Sequence, residues 1–323
     1  MTARNRWITR AAAIAALALV ALPAGAAERI VSGTLGGQAP LWPFYIAIDK
    51  GFLAADGIDL EINFSRSPSQ VVQQLTAGST DVAISVGTDG PLEAIDKGAS
   101  LAIVRIIGQV PAYALIAKKN IATMADLRGK TVASGSPVDI TTVYLKLMLG
   151  AVGLKPSDYQ TVSFGVSAAR YAALQAGEAD AAMVLPPLNF RAEKLGYHTI
   201  GLPADYVHDL PFTCMAVLKP WAETHKDAVK RLIDVTTKSI AWFNDPKNRE
   251  AAVEVLVKVG KSNHADAESS YDFLKRINYF APGPEVSRKA IENLIETEQK
   301  RGLLRQNMTV DRAVLKGVTQ LAP

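Results

Sequence analysis

One stretch of this chain occurs twice. Leu75-Thr76-Ala77-Gly78-Ser79-Thr80-Asp81-Val82-Ala83 returns ninety-nine residues later as Leu174-Gln175-Ala176-Gly177-Glu178-Ala179-Asp180-Ala181-Ala182, with Leu, Ala, Gly, Asp and Ala unchanged. Phe64 and Ser67 precede the first copy much as Phe164 and Ser167 precede the second, and Thr34 and Pro40 stand six apart, as do Thr131 and Pro137. Each copy reads as a helix that stops at Gly, a turn, and a strand entered at Asp. A chain built on two such copies is constrained towards two α/β units of one plan.

Short apolar runs alternate with helical patterns over most of the chain. The pattern predicts strands at 29–35, 58–64, 81–85 and 101–108, with helices at 41–53, 69–77 and 90–97 between them. The rhythm repeats as strands at 131–133, 160–164 and 180–184 and helices at 138–150 and 168–176. The fold class expected is therefore α/β, with mixed, mostly parallel sheets flanked by helices. After a strand-like run at 212–218 the pattern turns helical. Val229, Leu232, Ile233, Thr236, Ile240 and Phe243 share one face of a long helix, and further helices are predicted at 247–259, 265–275 and 285–301. In open α/β sheets ligands sit at the carboxyl ends of strands, where loops enter helices. Those loops are 36–42, 65–70 and 86–91 in the first unit and 134–141, 165–168 and 185–189 in the second. If the units face each other, six loops converge on one cleft, as in a clamshell that closes on its ligand about a hinge.

Residues 1–26 read as a secretory signal peptide. Arg4, Arg6 and Arg10 stand without an acid, an apolar run fills 11–22, and Ala24-Gly25-Ala26 follows Pro23. The run falls short of the about 20 residues a membrane-spanning helix needs. No Cys follows it to carry a lipid, so a soluble periplasmic chain beginning near Ala27 is expected. Losing three Arg takes the formal charge from +4 to +1, which leaves no electrostatic footprint for nucleic acid. Cys214 is the only cysteine, excluding an internal disulfide and any multi-Cys metal site. His198, His208, His225 and His264 are scattered without ligand spacing, so neither metal nor cofactor is expected.

Several stretches, in their order and spacing, resemble the type II solute-binding proteins of the nitrate, sulfonate and taurine importer branch, which includes binders of thiamine precursors. They are Asp49-Lys50-Gly51-Phe52 followed by Gly57-Ile58-Asp59-Leu60, Gln74-Leu75-Thr76-Ala77-Gly78 leading to Asp81, Asp126-Leu127-Arg128-Gly129-Lys130-Thr131-Val132, and Ala173-Leu174-Gln175-Ala176-Gly177 leading to Asp180. The resemblance covers nearly the whole mature chain. It implies a two-lobed periplasmic binding protein fold, with 28–112 and 214–323 in one lobe, 113–213 in the other, and hinge crossings near 111–113 and 211–213. It also implies a monomer that passes a small anionic or zwitterionic ligand (a sulfonate, a carboxylate or an aromatic acid) to a cognate ABC permease with its ATPase.

Ser65-Arg66-Ser67-Pro68 and Ser134-Gly135-Ser136-Pro137 set hydroxyls and a Pro at predicted helix starts, where the missing N–H of Pro has no partner to lose. Ser67 and Ser136 are candidates for N-caps or for ligand contacts, beside backbone N–H groups that favour an anion. Thr88 and Asp89, ahead of Pro91, form a third such start, and Asp139 and Thr141 lie one turn into the equivalent helix of the second unit. A carboxylate repels a bound anion unless the ligand also carries a donor such as an amine, so Asp89 and Asp139 are either caps or partners of that donor. Arg66 meets the ligand or faces solvent; Arg105, inside an apolar strand, lies outward on an edge or is partnered near the cleft. Trp42, Tyr113, Phe164 and Phe212 fall at loops or crossings, where they could wall off a ring or aliphatic tail or simply pack between lobes. Gln38 in the first loop and Pro186 on the Pro186-Pro187 rim complete the candidate site.

No nucleophile elbow, Walker loop, dinucleotide fingerprint or metal motif is present, and Gly33-Thr34-Leu35-Gly36-Gly37 lacks the order of the dinucleotide loop. The same fold serves a pyrimidine-precursor synthase and a decarboxylase, which is the alternative reading. Those enzymes need no leader, and the synthase carries a cysteine cluster that one Cys cannot supply. A binding protein rather than an enzyme is expected.

Overall fold

The structure, a computed structural model, describes residues 27–36, 39–137, 139–207 and 210–322. The predicted leader, Gln38 and His208 lie outside the described residues. The chain opens with β1 (Glu28–Leu35), α1 (Trp42–Asp49), α2 (Phe52–Ala55), β2 (Ile58–Ser65), α3 (Pro68–Thr76), β3 (Val82–Gly87), α4 (Asp89–Asp96) and β4 (Leu101–Gly108). It continues as β5 (Ala114–Ala117), β6 (Thr131–Ser134), α5 (Ile140–Ala151), β7 (Gln160–Ser163), α6 (Ser167–Ala176), β8 (Ala181–Val184), α7 (Leu188–Lys194) and β9 (His198–Gly201). It returns as β10 (Thr213–Leu218), followed by α8 (Lys219–Thr224), α9 (Lys226–Asn244), α10 (Arg249–Lys258), α11 (His264–Arg276) and α12 (Arg288–Lys300).

The strands form two sheets of five, ordered β2-β1-β3-β10-β4 and β7-β6-β8-β5-β9. These are the same arrangement twice, with β6, β7 and β8 in the places of β1, β2 and β3. In each sheet the fourth strand alone runs antiparallel to its neighbours, and it is the one placed next to a crossing between lobes: β10 in the first and β5 in the second. The fold is thus two-lobed, with mixed, mostly parallel sheets flanked by helices. The chain passes between the sheets twice, after β4 and after β9.

The repeat has a physical cause. Asp81 Oδ2 accepts the Val31 N–H at 2.9 Å, while the Asp81 N–H donates to Val31 O at 2.8 Å. Asp180 does the same at Thr131, at 3.0 Å and 2.7 Å, so each repeated Asp clips the entering strand to its parallel neighbour, β1 in the first sheet and β6 in the second. Gly78 and Gly177 hold φ of +74° and +80°, the left-handed conformation that ends a helix and suits glycine. Leu75 and Leu174 are buried. Asp180 is further paired with Lys118 at 2.9 Å. Asp180→Ala strips a backbone N–H and an amine of a charged acceptor and is expected to cost about 2 kcal/mol. Chemical denaturation beside the wild type checks this; an unchanged midpoint would mean the repeat has another cause.

The predicted helix over 41–53 is split in two at Gly51, which adopts φ of +68°. The face of α9 carrying Val229, Leu232, Ile233, Thr236, Ile240 and Phe243 is buried, and α9 packs on α1 and α2. No helix among the described residues is long and apolar enough to cross a membrane.

Candidate ligand cleft between the lobes

The carboxyl ends of β1 and β3 face those of β6 and β8 across a narrow space of about 50 Å³. Asp89 and Ser85 reach it from the first lobe, Asp139, Ser167 and Arg170 from the second, and Tyr113 and Phe212 from the crossing segments. On one side it continues into a space of about 280 Å³ between Gly36, Ser65 and Arg66 of one lobe and Ala168 and Pro186 of the other. On its other side lies a groove of about 530 Å³ between α3 and α4.

Asp139 is the N-cap of α5. Its Oδ1 accepts the Thr141 N–H at 2.8 Å and the Thr141 hydroxyl, and its Oδ2 takes no protein hydrogen bond among the described residues. The loop folds so tightly on this carboxyl that a Cβ at Gly135 would stand 2.4 Å from Asp139 Cγ. Asp89 opens α4 and is backed by Gly87 in the same manner, with a Cβ there falling 2.7 Å from Asp89 Oδ1. Burial pushes the Asp89 carboxyl up to about 7, helped by the charges of Asp139, Glu298 and Glu93 and opposed by the Gly90 N–H. Each lobe therefore presents one carboxyl group, seated on a glycine, to the same space.

Arg170 supplies the opposite charge. It is 2 % exposed, donates from Nε to Met183 O at 2.6 Å, from Nη1 to Phe164 O at 3.1 Å and from Nη2 to Ser167 Oγ at 3.2 Å, and lies 5.4 Å over the Tyr113 ring. Its acceptors are neutral, and no carboxylate lies within 4 Å of it among the described residues. Nothing in the reading of the sequence singled it out. The available signal was the repeat, which sets Arg170 opposite Gln70, each three residues past a matched Ser. Tyr113 meets Phe212 edge-on at 5.2 Å, and burial pushes its hydroxyl up to about 12.

The other candidates divide. Pro186 lines the cleft, and Ser136 lines the α3–α4 groove beside Asp139. Ser67 is the N-cap of α3, its Oγ accepting the Gln70 N–H at 3.2 Å. Four candidates are corrected. Trp42 is fully buried away from the cleft, donating to Ala252 O at 2.7 Å and packing on Phe243 and Tyr271, because the returning helices cover it. Thr88 turns inward beside the Cys214 thiol. Thr141 is buried and spends its hydroxyl on Asp139 and the Gly135 N–H, so it positions a carboxyl group. Phe164 packs on the second lobe's small core around Leu174 and Val184. Arg105 is wholly buried and tied to Thr237 and Ile106 O, on the side of the returning helices. Arg66 is exposed, with its backbone N–H on Gln70.

Two α/β lobes whose strand ends and helix starts meet across one cleft define a binding-protein fold of the two-lobed periplasmic type. The chain belongs to the NMT1/THI5 like family, whose profile matches residues 38–249. It is similar to the formylaminopyrimidine-binding protein of Halalkalibacterium halodurans, 28 % identical over 226 residues, 66 % of this chain and 64 % of that one. Its structure resembles that of the alkanesulfonate-binding protein SsuA of Xanthomonas axonopodis pv. citri, with a TM-score of 0.72 at 19 % identity, covering 91 % of this chain and 98 % of that one. The desulfurization enzyme DSZB shares the fold at a TM-score of 0.67 and 16 % identity, covering 90 % of this chain and 97 % of that one. Fold alone does not separate binding from catalysis.

Proposed function

We propose that this chain is the monomeric solute-binding component of an ABC importer, exported to the periplasm, and that its ligand is a small zwitterion, an acid that also carries N–H donors. Its lobes would be 28–112 with 214–323 and 113–213, closing about crossings near 111–113 and 211–213 and delivering the ligand to a permease with its ATPase. One observation carries the ligand class: Asp89 of one lobe and Asp139 of the other line the same space as the buried Arg170. Two carboxylates brought together by closure repel each other, and an N–H donor group between them turns that repulsion into attraction. Arg170 and Ser167 suit the acid end. A plain anion would meet two carboxylates and one guanidinium and gain little. The similarity to a protein named for binding formylaminopyrimidine supports a donor-bearing ligand. Binding is favoured over thiol catalysis because Cys214, the only cysteine, is fully buried and its thiol is pushed up to about 12 by that burial.

A thermal-shift panel at neutral pH tests this with taurine, ethanesulfonate, nitrate and 4-aminopyrimidine. A ligand at 100 times its Kd stabilises by about 2.7 kcal/mol, a shift of several degrees. Taurine should bind about tenfold or more tightly than ethanesulfonate, which lacks only the amine. A larger shift with ethanesulfonate or nitrate, or a shift with 4-aminopyrimidine alone, which has N–H donors but no acid, would refute the zwitterion.

A further inference from the structure

Asp89 and Asp139 line a second space besides the one between the lobes. Both residues stand at the inner end of the groove between α3 and α4, and Pro68 and Gly87 line the two spaces in common. Val72 and Ala77 of the α3 side and Val86 and Ala94 of the β3–α4 side give it apolar walls. At its outer end Glu93 and Lys97 are spent on each other at 3.1 Å, so neither offers an uncompensated charge to a ligand. Gly90 brings α4 close to α3 near the inner end, where a Cβ would stand 3.0 Å from Val72 Cγ2. An apolar trough that begins at two carboxyl groups complements one kind of molecule, with its N–H donors at the head and hydrocarbon behind them. Hydrocarbon moved from water into such a trough contributes in proportion to the area covered.

We propose that this groove is a subsite for the apolar substituent of the ligand, and that the solute is an amino-acid-like zwitterion bearing an alkyl or aryl group of several carbons. The inference rests on the zwitterion reading above. It adds where the side chain goes and why size should matter. Asp89 and Asp139 fix the donors, and the direction of the groove leads the substituent outward along α3 towards Thr76.

A homologous series with a constant head tests it by calorimetry: alanine, norvaline, norleucine and 2-aminooctanoate. Affinity should rise about fourfold per methylene, which is about 0.8 kcal/mol each, until the chain emerges near Thr76. Two variants obstruct the groove: Ala94→Phe from its partly buried wall, and Thr76→Trp from an exposed position that asks nothing of the core. In either, the gain per methylene should fall below about 1.5-fold while the affinity for alanine stays within about twofold. Should Ala94→Phe fail to fold, Thr76→Trp gives the answer alone. A wild-type slope retained in the obstructed variants overturns the subsite. So does a flat series in the wild type with alanine bound, an outcome that leaves the zwitterion reading standing. If no member of the series binds while taurine does, the subsite falls and the zwitterion reading stands; if taurine fails as well, both fall.

Discussion

Asp89→Asn is expected to make the ligand-free protein more stable at pH 8 while removing most of its affinity for ligand. The Asp89 carboxyl is pushed up to about 7 by burial first and by Asp139, Glu298 and Glu93 after it. In the unfolded chain the same group loses its proton near pH 4. Between those values the folded protein holds a proton that the unfolded chain has released, so stability falls as pH rises through the window, and the cost is complete above pH 7. At about 1.4 kcal/mol per unit the full cost is on the order of 4 kcal/mol. An amide carries no charge to desolvate. Denaturation curves should coincide near pH 4, diverge up to pH 7, and leave the variant ahead by a few kcal/mol at pH 8. Curves that run parallel from pH 4 to 8 would mean Asp89 ionises freely in the fold.

The same carboxyl group should make ligand binding pH-dependent. A ligand donor prefers the ionised acid, so wild-type affinity should level off above pH 7 and fall about tenfold per unit below it until it reaches that of the uncharged variant. In Asp89→Asn the affinity should be about 10- to 100-fold weaker at pH 8 and insensitive to pH over this range. A group that destabilises the empty fold and is relieved by ligand is the usual trade between stability and function.

How much of this was legible follows from which contacts are local. The repeated Leu, Gly and Asp could be read because each does a job within a few residues or at the parallel neighbour in its own sheet, as Asp81 does at Val31 and Asp180 at Thr131. Asp89, Asp139 and Tyr113 could be found because strand ends and crossings mark where a cleft forms. The four-residue strands β5 and β9 escaped, since pairing across the chain crossing rather than periodicity makes them strands. Helix α7 escaped behind Pro186-Pro187. Trp42 was misplaced because its partner, Ala252 O, lies 210 residues away in the returning helices. Arg170 sits inside a helix of small and apolar residues, and only the fold reveals that Met183 O and Tyr113 turn its charge towards the cleft.

Asp266→Ala should weaken ligand binding although Asp266 lies outside the cleft. Asp266, on α11 of the returning helices, is almost wholly buried; its carboxylate accepts Arg191 Nε at 2.5 Å and Lys194 Nζ at 3.1 Å from α7, which follows β8 of the second sheet. Asn263 Nδ2 adds a third donor at 2.6 Å, and Phe190 of α7 meets Phe273 of α11 edge-on at 5.9 Å beside them. Burial alone would raise the pKa of Asp266, but Arg191, Lys194 and Asn263 outweigh it and hold the group below the usual carboxylate value. A depressed acid contributes its stability above the unfolded pKa near 4 and loses it as pH falls through the folded value, so this clasp is intact at neutral pH. Breaking a fully buried pair costs about 3–5 kcal/mol; Arg191 and Lys194 are 43 % and 55 % exposed, so water recovers part of that and about 2 kcal/mol is expected. The contact joins α7 to α11 and is broken if the lobes part, so the loss falls on the closed state. A ligand that needs closure then binds about 30-fold more weakly, chiefly through faster dissociation. Arg191→Ala should act in the same direction, and the double variant should lose less than the sum, with a coupling of about 1 kcal/mol or more. Additive losses in the cycle, or lowered stability with unchanged Kd, would mean that the pair braces α11 and leaves closure to the ligand.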